Sequence, residues 1–389
     1  MNIVLCGVGG YGQTYSRELL GNTKDVKWVG AVEPFPERVA NKHDIDAAGV
    51  PWFASLEDFY RHNTADLCVV ASPIAFHASQ SILALQNGSD VLCEKPVAAL
   101  PSETAAMIAA RDKSGKFLGI GYQWSYSNAV QKIKRDISNG IYGKPLNLCT
   151  RVLWPRDRAY YKRGSGWAGC EKDSDGRWVL DSVANNATAH YLHNMLYILG
   201  KPGCSVMPDT LRAVLMRANP IQMYDTAFLH MKSDDAIISF IVTHAGENEN
   251  CVVSRLEFEN GVITYDDRVK PEFFGVLKDG TVIDYGNPAE TPHCPIWKII
   301  DSLHDGTGFA CPIEAAIPHN RAMIAALLSA EIGTFPDVCD DGKRFYVPGL
   351  DKICIDCCEN LHFPDEIWAK PGMVVRFEDI KIDLYGKRV

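Results

Sequence analysis

The sequence predicts an α/β body with a doubly wound parallel sheet, followed by an α+β body with a large, mainly antiparallel sheet. Three observations predict it. Over the first 120 residues short apolar runs alternate with segments of helical period, the pattern of βαβ units. The first run ends in a glycine-rich turn, "GVGGYG". After Tyr122 the rhythm changes to period-two strands separated by turn signals such as Glu259-Asn260-Gly261 and Lys278-Asp279-Gly280. The expected bodies are residues 1–122, 123–336 and a C-terminal extension, 337–389, docked on the rest.

The elements follow in order. "NIVLCG" is a strand and "GQTYSRELLG" a helix; "VKWVGAVEP" is a second strand and "PERVANKHDIDAAG" a helix. "ADLCVVASP" is a third strand, followed by an amphipathic helix, "HASQSILALQNG", that stops at Gly88. "DVLCEKP" is the next strand, "SETAAMIAARDKSG" a helix with Ser102 as its N-cap, and "KFLGIGY" a further strand. Apolar runs this continuous suit a sheet covered on both faces. In the second body "SNAVQKIKRDISNGIYG", "NATAHYLHNMLYILG" and "IEAAIPHNRAMIAALLSAEIG" read as helices. "PLNLCTRVLW", "LRAVLMRA", "AFLHMK", "AIISFIVTH", "CVVSRLEFENGVITY" and "EFFGVLKDGTVIDYG" read as strands.

The chain is 47% hydrophobic and 22% charged, with a net charge of −9. The balance is globular, and the negative charge argues against a nucleic-acid partner. No apolar run is long enough to span a bilayer, and the N-terminus leads straight into a strand, so no membrane or targeting segment is expected. Thirteen cysteines lie scattered, several in strand-like runs. They read as buried thiols of a cytoplasmic protein without a disulfide framework. Cys339, Cys354, Cys357 and Cys358 raise a zinc site, but no paired CxxC exists, and no metal is expected.

"GVGGYG" sets Gly7, Gly9 and Gly12 in a G-x-G-x-x-G pattern, with Gly10 and Tyr11 between them, after a strand and at the head of a helix. Glycines there permit a tight turn and close approach to a pyrophosphate, with helix amides facing the phosphates. Twenty-one residues after Gly12, at the end of the second strand, stands Glu33. A carboxylate at that place takes the ribose 2′-hydroxyl of NAD and repels the extra phosphate of NADP. Arg38 keeps NADP open as the lesser choice. The competing reading of Glu33 is a solvated loop acid.

With "AVEP", "ASPIAFHASQSILALQNG" and "DVLCEKP" added, the chain resembles the Gfo/Idh/MocA oxidoreductases, the family of glucose–fructose oxidoreductase and inositol dehydrogenase. The resemblance is good over about the first 200 residues, looser to Ile332 and absent from the tail. It implies that Lys95 of the Glu-Lys-Pro stretch contacts substrate near the nicotinamide and helps catalysis. It also implies that Glu94, Ser72, Pro73 and His77 line the cofactor site, and that Lys95–Pro96 is a cis bond. The competing reading of the Glu-Lys pair is a surface salt bridge.

The resemblance further implies a catalytic histidine on a second-body helix, which falls on His190. Asn186 stands where the family usually carries an aspartate, and His193 where a second is frequent. Asn186, His190, His193 and Tyr197 share one face of a regular helix. Asn186 and His190 are thus candidates for catalysis, with His193, Tyr122, Arg156 and Trp167 as candidates for substrate binding. Arg156 and Trp167 belong to a loop, "RVLWPRDRAYYKRGSGW", rich in arginines and aromatics. The implied activity is NAD-dependent hydride transfer at a sugar or polyol carbinol. Two rivals are an NAD-cocatalysed glycosidase or lyase and a ligand-sensing regulator. A homodimer or homotetramer is expected, because an open antiparallel face would leave an apolar patch.

Overall fold

The computed structural model describes residues 1–22, 24–163, 166–289, 295–364 and 370–381. Two compact units divide the chain: Met1–Tyr126 with Pro292–Ile317, and Ser127–Thr291 with Pro318–Val389.

The first unit alternates strand and helix as β1 (Asn2–Cys6), α1 (Gly12–Leu20), β2 (Lys27–Val32), α2 (Lys42–Ala47), β3 (Trp52–Phe53), α3 (Leu56–Tyr60), β4 (Leu67–Val70), α4 (His77–Gln86), β5 (Asp90–Cys93), α5 (Pro101–Ser114) and β6 (Leu118–Ile120). The strands form one parallel sheet in the order β3-β2-β1-β4-β5-β6. β4 is buried at every position, and β1 and β5 at all but the first. Each fully buried Val, Ile or Leu contributes about 1.5–3 kcal/mol. The order reverses between β1 and β4, the point where such sheets hold ligands beyond their carboxyl ends.

Several local details differ from the expectation. β3 and α3 were not foreseen: a two-residue strand and a single turn have no measurable period. α3 is fixed instead by Ser55, whose hydroxyl accepts the Asp58 amide at 3.1 Å. The long helix expected from Pro36 is a 3₁₀ turn, Pro36–Arg38, followed by the short α2. α5 is capped at Leu100, whose N–H donates to the Glu103 carboxylate at 2.8 Å, and not at Ser102. Pro101 occupies the first turn, where its fixed φ suits a helix start.

The second unit contains α6 (Asn128–Ser138), β7 (Pro145–Leu153), α7 (Arg158–Tyr161), a π-helical turn (Val183–Ala187) and α8 (Ala189–Leu199). β8 (Thr210–Arg217), β9 (Thr226–Ser233), β10 (Ala236–Thr243), β11 (Cys251–Phe258), β12 (Gly261–Asp266), β13 (Lys270–Leu277) and β14 (Val282–Gly286) follow. α9 (Ile296–Asp305) belongs to the first unit, and α10 (Ile313–Ser329) crosses the division at Pro318. β15 (Ile332–Thr334) and α11 (Leu350–Asn360) complete the set used below. The sheet runs β14-β13-β12-β11-β7-β10-β9-β8-β15. Only β7–β10 and β8–β15 pair in parallel among these described strands.

The units depart from the expected bodies at two places. The segment around α9 groups with the first unit: Ile120 N–H bonds the Cys311 carbonyl at 2.8 Å, and Trp297 Nε1 donates to Glu18 at 2.6 Å. The tail is part of the second unit. α11 lies on β7 and β10, and Leu350, Cys354, Cys357 and Cys358 join Cys149, Leu153, Phe228 and Ile241 in one apolar cluster. The sheet face assumed open is therefore covered here by the chain's own tail.

The reading of all cysteines as unpaired is also corrected. Cys149 of β7 and Cys358 of α11 form a disulfide, with their Cα atoms 6.0 Å apart. The partners are 209 residues apart in sequence, so only the docking of the tail brings them together. Among the described residues no helix is long and apolar enough to cross a membrane.

Candidate active site

In the first unit the register fixes the site. Cys6 pairs with Val70, Val70 with Cys93, and Cys93 with Ile120. The residues that follow each strand therefore stand in a row along one carboxyl edge. Gly7 has φ +75°, and a Cβ there would lie 2.5 Å from Ser72 Cα. A Cβ on Gly12 would lie 1.8 Å from the Gly7 carbonyl oxygen. These two glycines let β1, the loop and α1 close on one another. Gly10, at φ +53°, has nothing within 4 Å of where its Cβ would be. The turn is thus tight inside and open outside, which fits a pyrophosphate approaching backbone amides at a helix N-terminus. Tyr11 precedes α1, and its hydroxyl accepts a hydrogen bond from Gln123.

Glu33 follows β2 directly. Its carboxylate accepts the Gly9 and Phe35 amides, each at 3.3 Å. It is therefore held over the glycine turn, unlike a solvated loop acid. Arg38 lies 4.4 Å from the Phe35 ring and pairs with Glu37 at 3.7 Å.

The Glu94-Lys95-Pro96 stretch follows β5. Glu94 is 5% exposed, so the surface salt-bridge reading fails for it. Tyr15 donates to its Oε1 at 2.5 Å, and the Lys95 amide to its Oε2 at 3.1 Å. Between Val91 and Ala99 every residue is buried except Lys95, which is half-buried. The Lys95–Pro96 peptide is cis. His77 is buried, with Nδ1 2.8 Å from the Pro96 carbonyl oxygen and Nε2 2.9 Å from that of Ser72. Burial pushes its pKa down. A neutral ring has one N–H and donates to only one of these carbonyls at a time, so His77 lies between the loops that carry Ser72 and Pro96 and is tied to one of them. The Ser72 hydroxyl donates to Gln80 at 2.6 Å, and Pro73 starts the turn that leads into α4.

Burial also raises the Glu94 pKa from 4.5 to about 7, against the opposing pull of Tyr15 and Lys95. The folded chain thus holds this proton more tightly than the unfolded one. The contribution is whole below pH 4.5 and is lost as pH rises through about 7, a fall of about 3 kcal/mol. Glu94→Gln will flatten this dependence in urea unfolding at pH 5 and pH 8. A variant that keeps the wild-type slope would contradict the assignment.

In the second unit the helix is not regular where the sequence assumed it was. Ser182 caps a π-helical turn by accepting the Asn185 amide at 3.1 Å, and α8 starts only at Ala189. Asn186 is therefore out of the expected register, while His190, His193 and Tyr197 keep theirs within α8. Asn186 and His190 are half-buried, while His193 and Tyr197 are about 1% exposed. His193 stacks on Tyr197 at 5.4 Å and is held neutral by burial and by neighbouring positive charge. It packs against Tyr197 in the core. Tyr122, in the first unit, is fully buried.

Asn186 Nδ2 donates to Asp181 Oδ1 at 2.8 Å, and Gly169 N–H to Asp181 Oδ2 at 2.6 Å. The carboxylate absent at position 186 is thus supplied next to it. Leu180, just before Asp181, holds φ +50°, a conformation that costs a non-glycine residue about 1–3 kcal/mol. Trp154 meets Tyr191 edge-on at 5.5 Å. Arg156 lies 5.2 Å from the Trp154 ring, and Arg163 5.3 Å from the Trp167 ring. Two residues of this region escaped the sequence reading: Tyr161, and His244 at the end of β10, joined at 2.9 Å. The only signal was a histidine closing an apolar strand.

The sheet order and the glycine turn at its reversal define a dinucleotide-binding α/β unit. Residues 1–122 match the model of the oxidoreductase family with an NAD-binding Rossmann fold, Gfo/Idh/MocA. Among curated proteins it is 29% identical over 141 residues to a 1-carboxy-3-chloro-3,4-dihydroxycyclohexa-1,5-diene dehydrogenase of Comamonas testosteroni, covering 36% of this chain and 35% of the relative. It is 28% identical over 139 residues to the D-glucoside 3-dehydrogenase of Escherichia coli K12, covering 35% of this chain and 36% of the relative. The chain thus spans about a third of the length of these relatives. An oxidoreductase from Agrobacterium radiobacter, solved with NAD+, L-tartaric acid and magnesium, shares the fold. Its TM-score is 0.69 at 16% identity, over 84% of this chain and 95% of that one.

Proposed function

We propose that this chain is an NAD-dependent oxidoreductase acting on a CH–OH group of a sugar, polyol or sugar derivative. The observation that carries the reading is the row at the carboxyl edge of the first sheet: the glycine turn, Ser72 and Lys95 follow three strands in lateral register. Gly7, Gly9, Gly10 and Gly12 would hold the pyrophosphate, and Glu33 the adenosine ribose. The cofactor, when bound, supplies a nicotinamide ring that exchanges hydride with a carbinol carbon. Glu33, held over the turn, favours NAD, and Arg38 is engaged with Phe35 and Glu37.

Lys95 donates hydrogen bonds to the reacting oxygen and stabilises charge developing on it. His190 takes or returns the hydroxyl proton, and Asn186, oriented by Asp181, bonds a substrate hydroxyl. The chemistry of the named relatives, both dehydrogenases, supports this reaction class. Nothing in the two units favours the glycosidase or the regulator. α11 covers the sheet over β7 and β10, so association with a second copy would use the strands beyond it, where Val276 and Val282 are exposed.

The test is turnover. His190→Ala will lose about 100-fold or more in kcat while NADH binding, followed by fluorescence, persists. Unchanged kcat would remove His190 from the mechanism.

A further inference from the structure

The second unit holds two positive side chains that the proposed reaction does not use. Arg163 lies 3.5 Å from the Tyr160 ring centroid and Arg156 lies 5.0 Å from it, so one ring gathers both guanidinium groups. Both arginines are half-buried. Arg163 Nη1 donates to the Tyr160 carbonyl oxygen at 2.6 Å, and Arg156 Nε is buried without a partner. Among the described residues neither pairs with a carboxylate, although Arg158, on the same short helix as Tyr160, pairs with Asp340.

A half-buried guanidinium without a counter-ion is costly, and two on one ring also repel. The carboxylate that acts on Tyr160 is that of Asp181, already engaged by Asn186 and Gly169. His244 lies against the same residues: its carbonyl accepts the Arg156 amide at 3.0 Å, and its ring meets Tyr160 at 5.2 Å. Its Nε2 has no partner, and the ring is held neutral by burial and by both arginines. The nearby carboxylates, Asp181 and Asp225, are held by Asn186, Gly169, Ala218 and Asn219, so neither pairs with the two guanidinium groups. The cluster adjoins the candidate substrate residues, because Trp154 carries Arg156 on one side and meets Tyr191, next to His190, on the other.

We propose that Arg156 and Arg163 form an anion subsite that takes the carboxylate of a sugar acid, so that the substrate is a uronate or aldonate in place of a neutral sugar. The proposal rests on the function proposed above for its choice of a sugar. Guanidinium groups match a planar carboxylate through paired N–H bonds, and Tyr160 pre-orients them. Charge-assisted bonds of this kind are the strong ones, and an acid that completes the cluster gains what a neutral analogue leaves unmade.

The test uses the full chain saturated with NADH and titration calorimetry with matched pairs: glucuronate against glucose, and galacturonate against galactose. Each acid is expected to bind about tenfold tighter or more than its neutral partner. That advantage should disappear in Arg156→Gln and in Arg163→Gln, while each variant keeps wild-type NADH affinity as its check of folding. Arg163→Lys serves if a glutamine variant does not fold, and it should keep part of the advantage. Equal affinities in the wild-type chain, or an advantage that survives both glutamine variants, would overturn the subsite. Tighter binding of glucose 6-phosphate than of glucuronate would overturn its assignment to a carboxylate. Uronate binding that depends on the arginines, with no NADH formed on any substrate, would sink the proposed reaction and leave the subsite standing.

Discussion

Lys95→Ala will lower kcat by about 10²- to 10⁴-fold and leave NADH affinity within a few-fold of wild type. Its place explains both halves of the expectation. Lys95 is the one half-buried residue in a buried run, immediately beyond β5. Its neighbours are packed on both sides: Glu94 is buried against Tyr15, and the Pro96 carbonyl oxygen lies 2.8 Å from His77 Nδ1. A cation fixed by backbone and packing costs little reorganisation when negative charge develops on a substrate oxygen, and this is where electrostatic catalysis gains most. The glycine turn and Glu33 do not depend on it, so cofactor binding survives. Stopped-flow turnover and NADH fluorescence separate the two. A variant with near wild-type kcat would show that Lys95 is structural.

Gly12→Ala will cost about 100-fold or more in NADH affinity. A methyl group at Gly12 would lie 1.8 Å from the Gly7 carbonyl oxygen, so α1 must move away from β1 and the turn must open. Gly10→Ala separates sterics from conformation, because nothing lies within 4 Å of its added methyl and only the φ of +53° resists it. That change costs the free chain about 1–2 kcal/mol. Gly12→Ala should therefore lower both thermal stability and NADH affinity more than Gly10→Ala does. Equal melting temperatures for the two variants would contradict the packing described for the turn.

Much of the first unit was legible because its signals are local. β1, β4 and β5 are near-continuous apolar runs, and the glycine spacing and Glu33 report backbone geometry directly. What was missed is what local pattern cannot hold. Trp52–Phe53 pairs with β2 only because β2 is there. Ser102 has the chemistry of a cap, but Pro101 and Glu103 set the helix start earlier. The Cys149–Cys358 bond needs α11 on the sheet before either sulfur has a partner.

The candidate site divides along the same line. Lys95 and the glycine turn sit at strand ends, where the sequence pattern puts them. In the second unit a helical wheel placed Asn186 on the face of His190 and His193, but the π turn before α8 shifts its register, while His193 packs in the core against Tyr197. The same turn brings Asp181 to Asn186, a pairing that a regular period does not predict. Arg156, Arg163 and His244 come from β7–α7 and the end of β10, neighbours only through the parallel β7–β10 pairing.

The central claim is net hydride exchange between a carbinol and a nicotinamide cofactor. The most direct measurement is absorbance at 340 nm with purified chain, NAD and a panel of polyols, aldoses and sugar acids, with mass spectrometry on the same wells. The account predicts rising absorbance with at least one member, together with the matching ketone or lactone, and no rise in the Lys95→Ala variant. A flat trace over a cleaved or epimerised sugar would contradict it, because the cofactor would then be recycled within each turnover.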